Sequence, residues 1–600
     1  MIAHALDYPR PQMARPGWIN LNGKWDYMTD DAGSGEAEEW YRAFPSGAAE
    51  ILVPFAPETA MSGIGDETHH SAMWYSRSFT VLRDPEKRLL LHFEGVDFTA
   101  KVWVNGIFIG EHRGGYARFS FDITDVLTDG ENILTVKAED SAGVRQPRGK
   151  QRWKRDSYGC WYVQTTGIWK TVWMESVPKL HIAGLKITPD IRDCSVRIEA
   201  EIAGFYAGGG LAGGIREPEW LGTELTAEIR FEGQSVRRET VSVDDDHVTM
   251  TVSVLNRGVT EWGVREWTPD EPNLYGLVLT LAESDGEDRV ESYFGMRDVA
   301  ARDGKILLNG RPVYEKLILD QGYWKDSHLT PPDEQALVDD IDKIKAMGFN
   351  GLRKHMKIED ERFLYWCDVK GMLVWSEMPA AYEFDDTAVQ EFTSEWMEIV
   401  RQNYSHPSII TWTPFNESWG VPGIRTEKPQ QHFTEAVYYL TKAFDPMRPV
   451  ITNDGWEHTI SDILTLHDYE ERGEVFLERY AYHLDEITAD RIYHCKDRPA
   501  YAWGYGYHGQ PVILSEYGGI AFSGGASDSW GYGNRVNSEE EFLARYMCIT
   551  DAVKKVPYIT GYCYTQVSDV QQEVNGLLDA DHNYKVAPEK IRAINEHVPE

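Results

Sequence analysis

The chain has 600 residues and a formal net charge of −36, from 60 basic and 96 acidic side chains, so an anionic membrane surface or a nucleic acid would repel it. It contains no uninterrupted apolar run of about 18 residues that could span a bilayer as a helix. One hydrophobic core cannot organise such a length, which predicts about three or four domains. The opening MIAHALDYPRPQMARPGW has no apolar secretory segment, and Cys160, Cys194, Cys367, Cys495, Cys548 and Cys563 follow no regular spacing. Free thiols and a cytoplasmic location are expected on both counts.

Residues 1–177 predict a jelly-roll-like β-sandwich. Alternating apolar runs recur at 74–81, 88–96, 100–110, 119–124 and 131–140, separated by turn pairs such as Asn105-Gly106 and Asp129-Gly130. Residues 178–297 continue with alternating runs at 180–191, 195–205, 224–233, 247–255 and 274–283, the spacing of an immunoglobulin-like sandwich. The glycine-dense segment 207–214 lacks the Lys-Ser/Thr of a phosphate cradle and reads as a loop.

From residue 298 to 600 the rhythm becomes strand, helix, strand. A helix over 333–347 follows from Leu337, Ile341, Ile344 and Met347 on one face, with Thr330 and Asp333 as a capping pair and Gly348 as its stop. Strands are predicted at 312–320, 349–353, 371–377, 408–415, 449–454, 462–468, 511–516 and 558–566. Eight such units in about 300 residues are the arithmetic of a (β/α)8 TIM barrel.

Two predicted strands run into carboxylates: ITWTPFNESWG (410–420) into Glu417, and PVILSEYGG (511–519) into Glu516. An ionised group at the end of a buried strand is costly for stability. At the C-terminal mouth of a barrel it is where active sites form. A carboxyl pair on two strands there suggests glycosidic bond cleavage, one group protonated and one ionised.

These two segments resemble the acid/base and nucleophile signatures of glycoside hydrolase family 2, the family of β-galactosidases, β-glucuronidases and β-mannosidases. LNGKWDY (21–27), VWVNG (102–106), GIWKTVWME (167–175), WTPDEPNLY (267–275) and ILLNGRPV (306–313) extend the resemblance along nearly the whole chain. It implies a jelly-roll sugar-binding-like domain, an immunoglobulin-like domain and a catalytic barrel. Carried over residue by residue, it implies Glu417 as general acid/base, Asn416 as partner of the sugar 2-hydroxyl and Glu516 as nucleophile, with retention of configuration. Tyr517 is expected beside the nucleophile, although family tyrosines often come from another strand. Arg353, His355, His467, Asp320 and Trp503, at or beyond strand ends, are further candidates for substrate binding. The expected activity is exo-acting and most like that of a β-galactosidase on oligosaccharides or glycosides. An α-L-arabinosidase or β-glucuronidase is the alternative within the family, and a catalytically inactive carbohydrate-binding protein the rival from another class.

Two departures bear on the sugar. The stretch after the first barrel strand, EKLILDQGYWKDS (315–327), differs from the family's usual Arg-Gly pattern. The Asn-x-Lys with which β-glucuronidases hold a sugar carboxylate is replaced by Asn575-Gly576-Leu577, with Lys585 the nearest cation in sequence. This lowers the expectation of a uronic acid substrate. No cofactor is required. Some galactosidases of the family bind Mg2+ or Na+, but no metal site is recognisable here, and His69-His70 reads as a solvated pair. A homo-oligomer is compatible with the sequence.

Overall fold

The computed structural model describes residues 8–204, 222–260, 263–283, 286–491, 498–522 and 529–599. The glycine-dense segment and Cys495 lie outside them.

The N-terminal part is the expected sandwich. One antiparallel sheet joins, in order, Ala49–Val53, Gly23–Thr29, Ala72–Val81, Gly130–Glu139, Thr99–Val104 and Ile107–Arg113. The facing sheet joins Ile19–Asn20, Val172–Pro178, Lys87–Phe93 and Phe119–Asp122. Asn105 (φ 53°) and Gly106 (φ 74°) occupy the left-handed region between Val104 and Ile107, as a tight hairpin requires. The inward positions, among them Trp25, Tyr75, Leu91, Val102, Val136 and Met174, form one core.

The second sandwich packs a three-stranded sheet (His181–Asp190, Ser195–Ala203, His247–Ser253) on a four-stranded one. Two strands of the latter, Gln234–Ser242 and Gly286–Phe294, are absent from the sequence reading. The first is an edge strand with only Val236 buried, and the second buries Val290, Ser292 and Phe294 between charged residues. Neither carries the apolar alternation that announces a strand.

The barrel strands are β1 (Glu315–Asp320), β2 (Gly351–Lys354), β3 (Leu373–Glu377), β4 (Ile409–Thr413), β5 (Leu464–His467), β6 (Val512–Gly518) and β7 (Ile559–Thr565). All pair in parallel, in the order β4-β3-β2-β1-β7-β6-β5. The segment predicted as a strand at 449–454 fills the remaining gap without a regular ladder. It bridges β4 and the turn after it through Trp412–Val450 and Asn416–Asp454, and the Asp462 amide bonds the Val450 carbonyl at 3.0 Å. Side chains take over the bonding there: the Val450 amide goes to Asp462 Oδ2 at 2.9 Å, and the Asn453 amide group to the Trp456 carbonyl at 2.7 Å.

Helices α1 (Glu334–Ala346), α2 (Glu361–Lys370), α3 (Asp386–Asn403) and α4 (Lys428–Phe444) follow β1 to β4. In α1 the cap is Asp333, whose carboxylate accepts the Ala336 amide. Thr330 does not join it; its hydroxyl donates at 2.6 Å to the Trp169 carbonyl of the N-terminal sandwich.

That sandwich is fastened to the barrel mouth. The Arg148 and Gly149 amides bond the Ala380 carbonyl beyond β3 at 2.9 and 3.0 Å, and Tyr382 donates to the Gly149 carbonyl. After β7, Gln572 bonds the carbonyls of Gly159 and Trp161. A Cβ on Gly149 (φ 62°) would lie 2.4 Å from the Met356 carbonyl oxygen, so only glycine fits that approach. Residues 149–162 therefore hang over the open end of the barrel.

Candidate active site

Strand alternation puts Glu516 on the inner side of β6 and Tyr517 on the outer side. The Glu516 carboxylate is buried and fully engaged. Its Oε1 accepts Arg353 Nη2 at 2.9 Å, and its Oε2 accepts the Tyr469 hydroxyl. Tyr517 instead faces helix α5 (Glu539–Lys555), its hydroxyl 3.0 Å from Thr550 Oγ1 and its ring against Tyr562 and Tyr564. The expectation that Tyr517 neighbours the nucleophile position is corrected: Tyr469, two residues past β5, fills that role. Burial and the Glu516 charge hold its phenol well above the usual range, so it remains a donor.

Glu417 lies four residues beyond the end of β4, at φ 53°, followed by Ser418 at φ 60°. Two consecutive non-glycine residues in the left-handed region are strained, and such strain needs outside support. Asp454 and Asn453 supply it: the Glu417 amide bonds the Asp454 carbonyl at 2.9 Å and the Ser418 amide bonds Asn453 Oδ1 at 2.9 Å. The turn swings the Glu417 carboxylate across the mouth. One oxygen each of Glu417 and Glu516, with a ring nitrogen of His467, all lie within 4.8 Å of one another.

Arg353 is the hub beneath them, completely buried. It reaches Glu377 Oε2 at 2.6 Å, Asp454 Oδ2 at 2.7 Å, the Ser515 carbonyl at 3.0 Å, Asn416 Oδ1 at 2.9 Å and Glu516. A guanidinium suits the place because its planar fork serves several acceptors at once. Because Arg353 takes the Asn416 oxygen, the Asn416 amide nitrogen is turned to His355 Nε2, at 3.3 Å. Burial, with Lys150 and Arg353 nearby, holds the His355 ring well below its ordinary pKa and neutral; its Nδ1 is buried with no protein partner among the described residues. Burial also lifts Glu377 to about 7, against the pull of Arg353.

His467 at the end of β5 joins the two glutamates. Its Nε2 lies 2.9 Å from Asp454 Oδ2, and its Nδ1 lies 3.0 Å from Glu417 Oε1 and 3.5 Å from Glu516 Oε2. Burial opposes charge on the ring, yet Glu516, Asp454 and Glu417 together push its pKa up to about 10. Burial likewise favours a neutral Glu417, but the adjoining His467 imidazolium outweighs it and holds that carboxyl below its ordinary value. The shared proton is therefore favoured on His467, one hydrogen bond from Glu417. Glu417, His467 and Glu516 thus form one hydrogen-bond network, and their three ligand atoms also converge as a metal site would require. The other convergent group of three, Asp245, Asp246 and His247, lies in the second sandwich.

The remaining sequence candidates divide. Asp320 is near the mouth and held in place: Oδ2 pairs with Lys354 Nζ and Oδ1 accepts the Gly322 amide, both at 2.7 Å. Trp503 is 61 % exposed on the loop after β5, tied by its backbone to Arg425 and Gln431. The indole beside the carboxyl pair is Trp419, with Nε1 3.4 Å from Glu417 Oε2. Trp161 and Tyr382 stand edge-on to Trp419, at 5.4 and 5.3 Å between ring centres. Lys585 is held by Asp569 and by the Phe522 carbonyl at 3.0 Å.

Four contributors escaped the sequence reading. Tyr469 follows His467 in LHDYEE, and Tyr532 stacks on it with ring centres 3.4 Å apart. Trp161, with Lys150 near it in sequence, comes from the first sandwich, more than 250 residues before Glu417. Of these only Tyr469 carried a local signal, its place just past a strand end.

The family model "Glycosyl hydrolases family 2, TIM barrel domain" matches residues 299–598, "Glycosyl hydrolase 2 galactose-binding domain-like" matches 62–170 and "Glycosyl hydrolases family 2" matches 180–297. A β-galactosidase of Thermoanaerobacter pseudethanolicus is 29 % identical over 410 residues, 67 % of this chain and 52 % of that one. A β-glucuronidase of Canis lupus familiaris is 24 % identical over 571 residues, 86 % of this chain and 80 % of that one. A Formosa agariphila relative is matched over 44 % of its length, so the chain spans about half the length of some of these curated relatives. Among solved structures, a Bifidobacterium dentium β-glucuronidase superposes with a TM-score of 0.76 at 20 % identity, covering 99 % of this chain and 98 % of that one. A β-galacturonidase from Eisenbergiella tayi gives 0.74 at 20 % identity, covering 98 % of each chain. With three family models in order along 62–170, 180–297 and 299–598, and a carboxyl pair at the mouth of the barrel they predict, the chain belongs to glycoside hydrolase family 2.

Proposed function

We propose that the protein is an exo-acting, retaining glycoside hydrolase that removes terminal sugars by double displacement. One observation carries the reading: a Glu417 and a Glu516 carboxylate oxygen within 4.8 Å of each other. Retention requires carboxyl groups about 5–5.5 Å apart, whereas inversion needs roughly 6.5–9.5 Å to admit a water.

Glu516 attacks the anomeric carbon while Glu417 gives a proton to the departing oxygen. The glycosyl–Glu516 ester is then cleaved by water, from which Glu417 takes a proton. Arg353 and Tyr469 hold the two Glu516 oxygens in place, and Arg353 turns the Asn416 amide toward the sugar side. His467 is the proton store. Sugar binding deepens the burial of Glu417, which favours its neutral form, and the proton crosses the 3.0 Å bond from Nδ1 to Oε1.

The sugar is galactose-like and neutral on this reading, since Leu577 replaces the lysine of the glucuronidase motif and Lys585 is bound elsewhere. The test is Glu516→Ala. Turnover of an aryl glycoside should vanish and return in part with azide, as a glycosyl azide of inverted configuration. Glu516→Ala with no azide rescue, or wild-type product of inverted configuration, would count against the assignment.

A further inference from the structure

Among the cations of the segment over the barrel mouth, Lys150 lies nearest the carboxyl pair's field and takes no part in the mechanism above. Lys150 belongs to the N-terminal sandwich. Its backbone is pinned on one side by the Gly149 amide on Ala380, and on the other by its own carbonyl, which accepts the Tyr162 amide at 2.8 Å. The neighbours on that second side are Trp161, which meets Trp419 beside Glu417, and Tyr162, whose hydroxyl donates to Glu573. Lys150 is thus held between the Glu417 side and the Glu573 side of the same opening. It is partly exposed, and among the described residues no carboxylate forms an ion pair with it within 4 Å. Unlike Lys354, Lys357 and Lys585, which close on carboxylates or carbonyls, its amine meets only the Cys160 thiol among the described residues, a weak acceptor that leaves further N–H donors to spare.

Glu573 is the counterpart. It sits in the loop after β7, buried, with Oε1 accepting Asn575 Nδ2 at 3.1 Å and Oε2 accepting Tyr162. Each oxygen retains a lone pair. The field around both groups is that of the catalytic pocket: Cys160 and Tyr382, then Glu573 and Glu417, act on Lys150, and Tyr532, stacked on Tyr469, feels Glu573, Glu516 and Glu417 together. Two opposite charges share one cavity without closing into a salt bridge.

We infer that Lys150 and Glu573 are a cross-domain clamp for the hydroxyls of a neutral terminal sugar, the ammonium donating to one oxygen and the carboxylate accepting from another. Charged partners for uncharged hydroxyls give strong, directional hydrogen bonds. The same Glu573 repels a sugar carboxylate, so the clamp selects neutral pyranosides over uronides. This inference rests on the glycosidase reading and names its substrate class.

The test compares wild type, Lys150→Met, Lys150→Arg and Glu573→Gln on p-nitrophenyl β-D-galactoside, glucoside and mannoside and on the matching galacturonide and glucuronide. Wild type should prefer a neutral sugar, by roughly 30-fold or more in kcat/KM over its uronide. Lys150→Met and Glu573→Gln should each cut the neutral reaction roughly 10- to 100-fold, the size of a lost hydrogen bond to a charged group. Lys150→Arg should restore part of the loss. Glu573→Gln should also shift the uronide-to-neutral ratio about 10-fold toward the uronide, which simple structural damage would not do. A wild type that prefers a uronide, with the Lys150→Met loss confined to it, would overturn the clamp and make Lys150 the carboxylate's partner. Good hydrolysis of a neutral glycoside unaffected by either substitution overturns the clamp and leaves the glycosidase standing. Hydrolysis of none of the five overturns both.

Discussion

Tyr469→Phe isolates one hydrogen bond in the proposed reaction. The ring keeps its stack on Tyr532, so the substitution removes only the hydroxyl, which donates to Glu516 Oε2 and lies a longer 3.3 Å from Thr565 Oγ1. Its effect should differ between the two chemical steps. In the first, Glu516 loses charge as it attacks, and a carboxylate missing one donor is a stronger nucleophile, which offsets the lost positioning. In the second, Glu516 leaves the sugar and regains its full charge, and no gain compensates. A hydrogen bond to a charged group contributes about 1.5–3 kcal/mol, and about 1.36 kcal/mol is tenfold in rate. Breakdown of the glycosyl-enzyme should therefore slow roughly 10- to 150-fold. With a dinitrophenyl glycoside, stopped-flow absorbance should show a burst of phenol equal to the enzyme present, then a slow steady state, and intact mass should report the trapped sugar. Equal slowing of both steps, or an unchanged kcat, would refute the reasoning. Tyr517→Phe is the control, because Tyr517 faces α5 and its loss should leave kcat within about twofold while costing about 1 kcal/mol of stability.

Arg353→Met should be the most damaging single change in the barrel. It leaves Glu377, Asp454 and Glu516 buried without their shared cation, and a broken buried pair costs about 3–5 kcal/mol. Denaturant unfolding followed by tryptophan fluorescence should show the loss, and a midpoint equal to wild type would contradict it. Glu417→Gln should depress hydrolysis of alkyl glycosides far more than of dinitrophenyl glycosides, which need no proton to depart; equal losses would point to another acid. The pH dependence follows from His467, whose folded pKa of about 10 exceeds the ordinary 6.5. Its contribution to stability is complete below pH 6.5 and is lost as pH rises to about 10. Unfolding midpoints measured across that window should fall for wild type and flatten for His467→Asn, and parallel curves would rule out His467 as the titrating group.

Much of the architecture was legible from local pattern. The two sandwiches announce themselves by period-two alternation and Asn-Gly or Asp-Gly turns. The barrel does so by apolar β-branched runs with helices between, because each of these signals is written within about ten residues. Glu417 and Glu516 were legible for the same reason, each lying next to its own strand. The segment 449–454 reads as a strand because its composition is one. Its backbone bonds β4 at Trp412, but side-chain bonds of Asp462, Asn453 and Thr452 stand where a regular ladder to a second strand would be.

By itself the sequence determined three domains, a barrel and two carboxylates at strand ends, since these depend on neighbours a few positions apart. Only the tertiary structure decided which side chains face the sugar. Tyr469 rather than Tyr517 meets Glu516 because pleating turns alternate residues to opposite faces and the next strand supplies the gap. Asp320 is tied to Lys354, one strand over, a pairing that no local pattern marks. Lys150 enters from a separate domain because Gly149 lets that loop settle onto the barrel rim, a closeness between distant residues that no local pattern encodes.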